Sequence, residues 1–261
     1  MSQELTDIRN LLRPHGFDLS AYTDAFLQRR VLIRMRKHQM TSLADYAALL
    51  TRDGAERREL THLLTVTVTE FFRDDTFSDT VFDPLFAKIL ARVGAKPINA
   101  WSAGCATGQE PYSLAFLLDT YLTARGRKGA FVIHATDISE QNLRAASEAL
   151  YPKSVVQMMP ARYQRYFEDK DGQSRVVADI RSRIQFQRHD LCDKPPFAGL
   201  DLILCRNVMI YLTPAAKNDI LKRFHASLAP GGFLVLGASE IILEPTLFKA
   251  LDTRHKLYQR I

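Results

Sequence analysis

Two periodicities divide this chain of 261 residues. Up to about residue 75, apolar side chains recur every three or four positions. Leu5, Ile8, Leu11 and Leu12 mark one helix, which stops near Pro14, His15 and Gly16. Residues 22–40 carry a second, with Leu27, Val31 and Met35 four apart. Leu43, Tyr46, Leu49 and Leu50 mark a third. A fourth ends at Leu60 to Leu64 and runs into TVTVTEFFR, residues 65–73. No glycine falls between Gly16 and Gly54, which excludes a turn-rich β domain there.

From about residue 97 the pattern changes to short apolar runs alternating with helical ones. Strands are expected at 98–102, 131–136, 184–187, 201–205 and 233–236, with helices at 111–124, 140–149 and 214–228. Such alternation predicts a parallel sheet covered on both faces. Runs at 246–251 and 256–261 can close its edge. Residues 151–183 interrupt the alternation. They are polar, and DKDG at 169–172 reads as a hairpin turn between Tyr166-Phe167 and Val176-Val177, so an inserted small β element is expected. The predicted division is a helical domain at 1–75 and an α/β domain at 76–261.

Composition is that of an ordinary globular chain, 46% hydrophobic and 25% charged. The net charge of +6 favours acidic partners without choosing among nucleic acid, anionic membrane and acidic protein. Cys105, Cys192 and Cys205 are far apart and form no CxxC pair, as expected of unpaired thiols in a reducing compartment. No basic-then-apolar leader and no apolar run near 18 residues is present, so a soluble, cytoplasmic protein is expected. The seven His show no paired-ligand spacing, and no metal is assigned; a Gly-x-Ser-x-Gly elbow is also missing.

Chemistry concentrates where strands end. WSAGCATGQEPYSLA, residues 101–115, joins a strand to a helix through a small-residue loop with Gly104 and Gly108. Glycine permits positive φ and lets a ligand approach the backbone. The loop has no Lys, unlike a phosphate-cradling P-loop. A cofactor without phosphates, S-adenosylmethionine, is therefore expected. Asp137 follows the second strand, where it either accepts from ribose hydroxyls or caps a helix. Glu110 either meets a cationic group of the cofactor or simply favours its helix N-terminus. Asp190 either meets adenine, with Leu191 beside it, or caps its loop. Arg206 and Asn207 directly follow LILC and belong at the open sheet edge; Tyr211 either presents its hydroxyl there or packs. Arg73 offers a planar fork for a carboxylate or is a surface Arg, while Phe71 and Phe72 read as packing groups. Arg29, Arg30, Arg34, Arg36 and Lys37 form a basic helix with no acid between Ala25 and Ala44. Arg30, Arg34 and Lys37 share a stripe, which is either a partner-binding face or a solvated one.

Five motifs in order, TEFFR, WSAGCATGQEPYS, ATDI, CRNVMIY and PGG with LGASE, resemble the chemotaxis receptor methyltransferases, the CheR family. The resemblance covers nearly the whole chain. It implies a class I S-adenosylmethionine-dependent methyltransferase domain with a Rossmann-like, seven-stranded sheet, a small all-α N-terminal domain and a β insert. It implies methyl esterification of glutamate side chains in the cytoplasmic methylation region of chemoreceptors, with S-adenosylhomocysteine as product. By position, Thr67, Thr69, Arg73, Glu110, Asp137, Asp190, Leu191, Arg206 and Asn207 would line the cofactor site, and Arg73 and Tyr211 would lie nearest the transferred methyl. Arg30, Arg34 and Lys37 would meet the acidic substrate. Thr67 and Asp190 stand where the family more often has Asn. The insert turn is shorter, poorer in glycine and more acidic than in relatives that grip a receptor C-terminal pentapeptide, so no such tether is expected; nor is nucleic-acid binding or membrane insertion. A methyltransferase of this fold acting on another acidic protein, and a cofactor-binding regulator without turnover, are the alternatives.

Overall fold

The computed structural model describes residues 3–15, 17–65, 69–242 and 246–261. They fall into two compact units, one of Met1–Val66 with Val208–Ile220 and one of Thr67–Asn207 with Leu221–Ile261.

The first unit is helical. Its helices are α1 (Gln3–Leu12), α2 (Asp24–Lys37), α3 (Leu43–Arg52) and α4 (Gly54–Leu64). Each of the last three starts at a side-chain cap: Thr23 accepts from the Phe26 N–H, Ser42 from Asp45, and Asp53 from Ala55 and Glu56. The apolar positions read from the sequence face one another, with Ile8, Leu12, Leu27, Val31, Tyr46, Leu50 and Leu60 fully buried. A later stretch joins them: the Thr23 N–H donates to the Tyr211 carbonyl at 3.0 Å and the Thr213 N–H to that of Ala21 at 2.8 Å. The two units meet in sequence at residues 66 and 67, whereas the sequence pattern suggested about 75. Phe71 and Phe72 explain the difference, because they pack on Phe116 and Tyr163 of the larger unit.

The larger unit opens with α5 (Asp79–Val93), a helix not expected from the sequence pattern, with Val81, Phe82, Leu85, Phe86 and Ile89 as its buried stripe. Pro84 inside it masks the signal. The elements β1 (Ile98–Ala103), α6 (Gln109–Thr123), β2 (Phe131–Asp137) and α7 (Glu140–Glu148) follow. The insert holds β3 (Leu150–Tyr151), α8 (Lys153–Gln157), α9 (Ala161–Gln164), β4 (Phe167–Lys170), β5 (Gln173–Val176) and α10 (Ala178–Arg181). Then come β6 (Ile184–Arg188), β7 (Leu200–Cys205), α11 (Pro214–Ser227), β8 (Leu228–Leu236), β9 (Phe248–Asp252) and β10 (Leu257–Arg260).

Among the described residues, seven strands form one sheet in the order β6-β2-β1-β7-β8-β10-β9. The first five are parallel and β10 runs antiparallel between β8 and β9. The chain leaves β1 toward β2 and β6, then crosses back to β7 and β8. The switch point therefore lies between β1 and β7, where open α/β sheets bind ligands at their carboxyl ends. Helix α6 is buried from Pro111 to Asp119, as a helix under a sheet must be, so its N-terminus is fixed at that edge. The insert is a three-stranded sheet, β3-β5-β4, with three short helices around it. Its expected hairpin turn is present, with Asp171 at φ +50° and Gly172 at φ +83°, as a two-residue turn of the hairpin-favouring hand requires.

Candidate cofactor site

After β1 the chain turns sharply. The N–H groups of Gly104 and Cys105 both donate to the Thr136 carbonyl at 2.8 Å, which ties the loop to β2. Gly104, Ala106 and Gly108 all have positive φ, at +82°, +47° and +96°. A Cβ on Gly108 would stand 3.0 Å from the Ala146 Cβ and 3.0 Å from the Tyr151 hydroxyl. This glycine therefore lets the loop pack closely on α7 and the insert.

Asp137, at the end of β2, is the anchor of the loop. One carboxylate oxygen accepts the Ala106 N–H at 2.9 Å and holds that residue in its left-handed turn. The other accepts the Ser139 N–H at 2.9 Å and the Asn142 amide at 3.3 Å. The helix cap weighed for Asp137 belongs to Ser139, whose hydroxyl accepts from Asn142 N–H. Burial raises the Asp137 carboxyl above its ordinary value despite these bonds. A carboxylate offers about four lone-pair sites, so acceptor capacity remains.

Glu110 lies in the first turn of α6, where its carboxylate accepts the Ser102 hydroxyl at 2.7 Å. Burial pushes it up to about 7, and Arg206 and Arg73 pull against that while Glu240 adds to it. Arg206, after β7, is almost fully buried, ion-paired with Asp74 and 4.8 Å over the Phe77 ring. It also donates to the Arg73 carbonyl at 3.1 Å, which joins the TEFFR segment to the sheet edge. That segment is bent by Phe72 at φ +51° and Asp74 at φ +58°, and the Phe72 N–H donates to the Ser113 hydroxyl of α6 at 3.0 Å. Thr69, half-buried, precedes it. Asn207, at φ +61°, donates its N–H to Glu240 at 3.1 Å. After β6, the Asp190 carboxylate accepts the Cys192 N–H at 2.8 Å, so the loop cap is real; the carbonyl of half-buried Leu191 accepts from Arg223 at 3.3 Å.

Gly104, Glu110, Asp137, Arg206 and Asn207 thus gather at the carboxyl edge of β1, β2 and β7, with Arg73 tied to Arg206. This edge follows a family pattern. A family model described as the CheR methyltransferase S-adenosylmethionine-binding domain matches residues 67–257, and its all-alpha companion matches residues 3–65. The chain belongs to the CheR methyltransferase family. It is 32% identical over 238 residues to a chemotaxis protein methyltransferase of Listeria innocua, covering 91% of this chain and 89% of that one. It is 34% identical over 234 residues to chemotaxis protein methyltransferase 1 of Pseudomonas aeruginosa, covering 87% and 85%. It is also 37% identical over 246 residues to an uncharacterized 104.1 kDa protein of Rhodobacter capsulatus, covering 92% of this chain but spanning only 26% of that relative.

The sheet is that of class I S-adenosylmethionine-dependent methyltransferases, and the edge suits the family's cofactor. Arg206 Nε and Asn207 Oδ1 are buried without a hydrogen-bond partner. Buried polar atoms are normally satisfied, so two orphans side by side fit a polar ligand. Two carboxylates, Glu110 and Asp137, match the cationic end and the ribose diol of such a molecule. Among the described residues, no group of three or more His, Cys, Asp and Glu is arranged to hold a metal ion.

Three further groups of expected residues are described separately. Thr67 falls outside the described residues. Tyr211 belongs to the helical unit, with its ring 4.7 Å from that of Phe26. On α2 the stripe of Arg30, Arg34 and Lys37 needs correction. Arg34 is 8% exposed and grips both oxygens of Glu56, with its Nε at 2.8 Å, and also meets Glu59 at 3.2 Å. The acids missing from α2 come from α4, which periodicity along one helix does not show. Arg30 is half-buried against Phe26, and burial lowers its pKa. Arg29, Arg36 and Lys37 remain exposed, with Leu32 and Ile33 exposed among them. Gly237 and Glu240, within the LGASE motif, also stand at this edge, although the sequence pattern assigned them no role. The run of Gly-Ala-Ser-Glu directly after an apolar strand was the available signal.

Proposed function

We propose that this chain transfers a methyl group from S-adenosylmethionine to glutamate side-chain carboxylates of chemoreceptors. The observation that carries the reading is Glu110, an acid held near 7 at the switch-point edge and faced by Arg206 and Arg73, within a chain matching both CheR domains in order. The two relatives named as chemotaxis protein methyltransferases support it. Asp137 would hold the ribose, Glu110 the cationic end, Asp190 and Leu191 the adenine, and Arg206 and Asn207 the remaining polar groups; Thr67 and Thr69 complete the set.

When bound, the cofactor supplies a methyl group on a positive sulfur, a strong electrophile. A glutamate substrate is already ionised at neutral pH and needs no general base. The protein's task is placement and exclusion of water. Arg73 orients the carboxylate without pairing it so tightly that the ground state is favoured, and Tyr211 donates to the same group. The exposed cations of α2 draw the acidic methylation region. In this reading the reaction is cytoplasmic and needs neither a receptor tail, nucleic acid nor membrane insertion. Separately, no helix among the described residues is long and apolar enough to cross a membrane.

The test is transfer of tritiated methyl to purified receptor cytoplasmic domains, followed by base. Methyl esters release volatile methanol, and N-methyl products do not. Base-stable label, or none, refutes the reading. Arg73→Ala and Tyr211→Phe should lower turnover more than cofactor affinity. A second reading is transfer to an acidic protein outside chemotaxis. Base-labile label on other proteins of the source cell, with none on receptors, would select it.

A further inference from the structure

The loop after β8 carries a buried acid that the roles above do not use. Glu240 is 4% exposed. One of its oxygens accepts two backbone N–H groups, from Gly237 at 2.7 Å and from Asn207 at 3.1 Å. Gly237 follows β8 and Asn207 follows β7, so a single carboxylate ties two neighbouring strand ends together. The join is tight. A Cβ on Gly237 would stand 2.8 Å from the Asn207 nitrogen and 2.9 Å from the carboxylate itself. Asn207 is left-handed at φ +61°, a conformation that costs most residues energy and persists where surroundings impose it. The bond to Glu240 is that imposition. Its consequence falls on Arg206 and Asn207, whose Nε and Oδ1 are buried without a hydrogen-bond partner.

We propose that Glu240 is a positioning residue for the cofactor: it locks the turn at Asn207 so that Arg206 and Asn207 aim their unpartnered polar atoms at the ligand. This rests on the reading that the edge binds S-adenosylmethionine. The geometry has an electrostatic companion. Glu110 is faced by Ser102 from β1, by Arg73 from the segment before α5, by Arg206 after β7 and by Glu240 after β8, with the thiols of Cys105 and Cys205 nearby. The Glu240 charge helps burial keep Glu110 high. Neutralising it without removing the acceptor should therefore lower the pH at which Glu110 ionises.

Glu240→Gln keeps an oxygen able to accept both N–H groups, and Glu240→Ala does not. Calorimetry with S-adenosylhomocysteine from pH 6 to 8, with urea midpoints for each variant, separates the two effects. Expected are a loss of about tenfold or more in affinity for Glu240→Ala, near-normal affinity at pH 8 for Glu240→Gln, and a binding midpoint displaced to lower pH in Glu240→Gln. If Glu240→Ala does not fold, the Glu240→Gln pH profile decides alone. Unaltered affinity in a folded Glu240→Ala, or a Glu240→Gln profile that superimposes on the parent's, overturns the proposal. Failure of the unaltered protein to bind overturns both it and the cofactor reading, whereas normal parent binding with insensitive variants overturns the positioning role only.

Discussion

Arg34→Ala is expected to cripple the helical unit, not to weaken substrate docking alone. Glu56 is 3% exposed and takes three donors: the Arg34 guanidinium, the Tyr46 hydroxyl at 2.6 Å and His38 at 2.7 Å. Burial works to raise its carboxyl, but these bonds, Arg34 foremost, win and hold it at about 2. Removing Arg34 leaves a buried carboxylate without its counter-charge, which typically costs about 3–5 kcal/mol. Arg36→Ala, on the exposed side of the same helix, should stay within about 0.5 kcal/mol of the parent.

The pH dependence gives a second handle. A depressed carboxyl adds stability above its ordinary value near 4.5, and that stability is lost as pH falls from 4.5 toward 2. A fall of this size is worth on the order of 3 kcal/mol. In Arg34→Ala the sign reverses. Burial then dominates, the carboxyl rises above its ordinary value, and acidification from pH 7 to 5 stabilises the variant. Adding Glu56→Gln to Arg34→Ala removes the stranded charge and should recover part of the loss. Urea unfolding followed by circular dichroism at pH 7 and pH 5 reads all four proteins. Coincident midpoints for Arg34→Ala and Arg36→Ala would refute the buried-pair account.

Affinity for S-adenosylmethionine should fall by about tenfold per pH unit below 7, because Glu110 must give up a proton to meet a cation; calorimetry in two buffers at pH 6 should show about one proton released, and Glu110→Gln should flatten the profile. Asp137→Ala should lose both cofactor affinity, by two hydrogen bonds of about 1.5–3 kcal/mol each, and melting temperature, because the N–H groups of Ala106 and Ser139 lose their acceptor; a lower melting point with intact affinity would sink the ribose role. Arg36→Glu with Lys37→Glu should raise KM for receptor fragments and flatten its salt dependence, with melting unchanged. A receptor-tail pentapeptide titrated against the protein should bind far more weakly than to a tail-binding relative, and micromolar affinity would show that the acidic hairpin at Glu168, Asp169 and Asp171 is no barrier.

The parallel sheet was legible because β1, β2 and β7 are short, mostly apolar and mostly buried runs, and such runs announce strands of a covered sheet. Strand ends were legible for the same reason: the first polar residues after LILC had to stand at the open edge, and Arg206 and Asn207 do. What the chain hid were pairings across long sequence distances. Arg34 finds Glu56 on another helix, Arg206 finds Asp74 far upstream, and residues 208–220 return to the helical unit. None of these leaves a trace in a local window, since a charge looks the same whether its partner is solvent or a buried acid. Gly108 shows the converse: its positive φ was predictable, but its purpose depends on Ala146 and Tyr151, which only the fold brings near.

The acids at the edge explain why cofactor and cap readings of the same residue could not be separated beforehand. The Asp190 cap is real, the cap beside Asp137 belongs to Ser139, and α6 has no side-chain cap at Glu110, yet each acid keeps acceptor capacity that the proposed cofactor could use. A carboxylate has two oxygens, and here backbone N–H groups use one or both while lone pairs remain. At Asp190 one oxygen caps the Cys192 N–H and the other is still an acceptor, where an Asn with the same cap would offer an amino group. An Asp here therefore keeps the loop and sets what the loop presents: under the proposed function, a negative acceptor would suit the amino group of an adenine ring and repel its ring nitrogens. Asp137 and Glu240 follow the same logic, stiffening the backbone with one set of lone pairs. Under the proposed function the rigidity of this edge and its ligand chemistry would come from the same few atoms, so a substitution there must be read for stability and affinity together before either role is assigned.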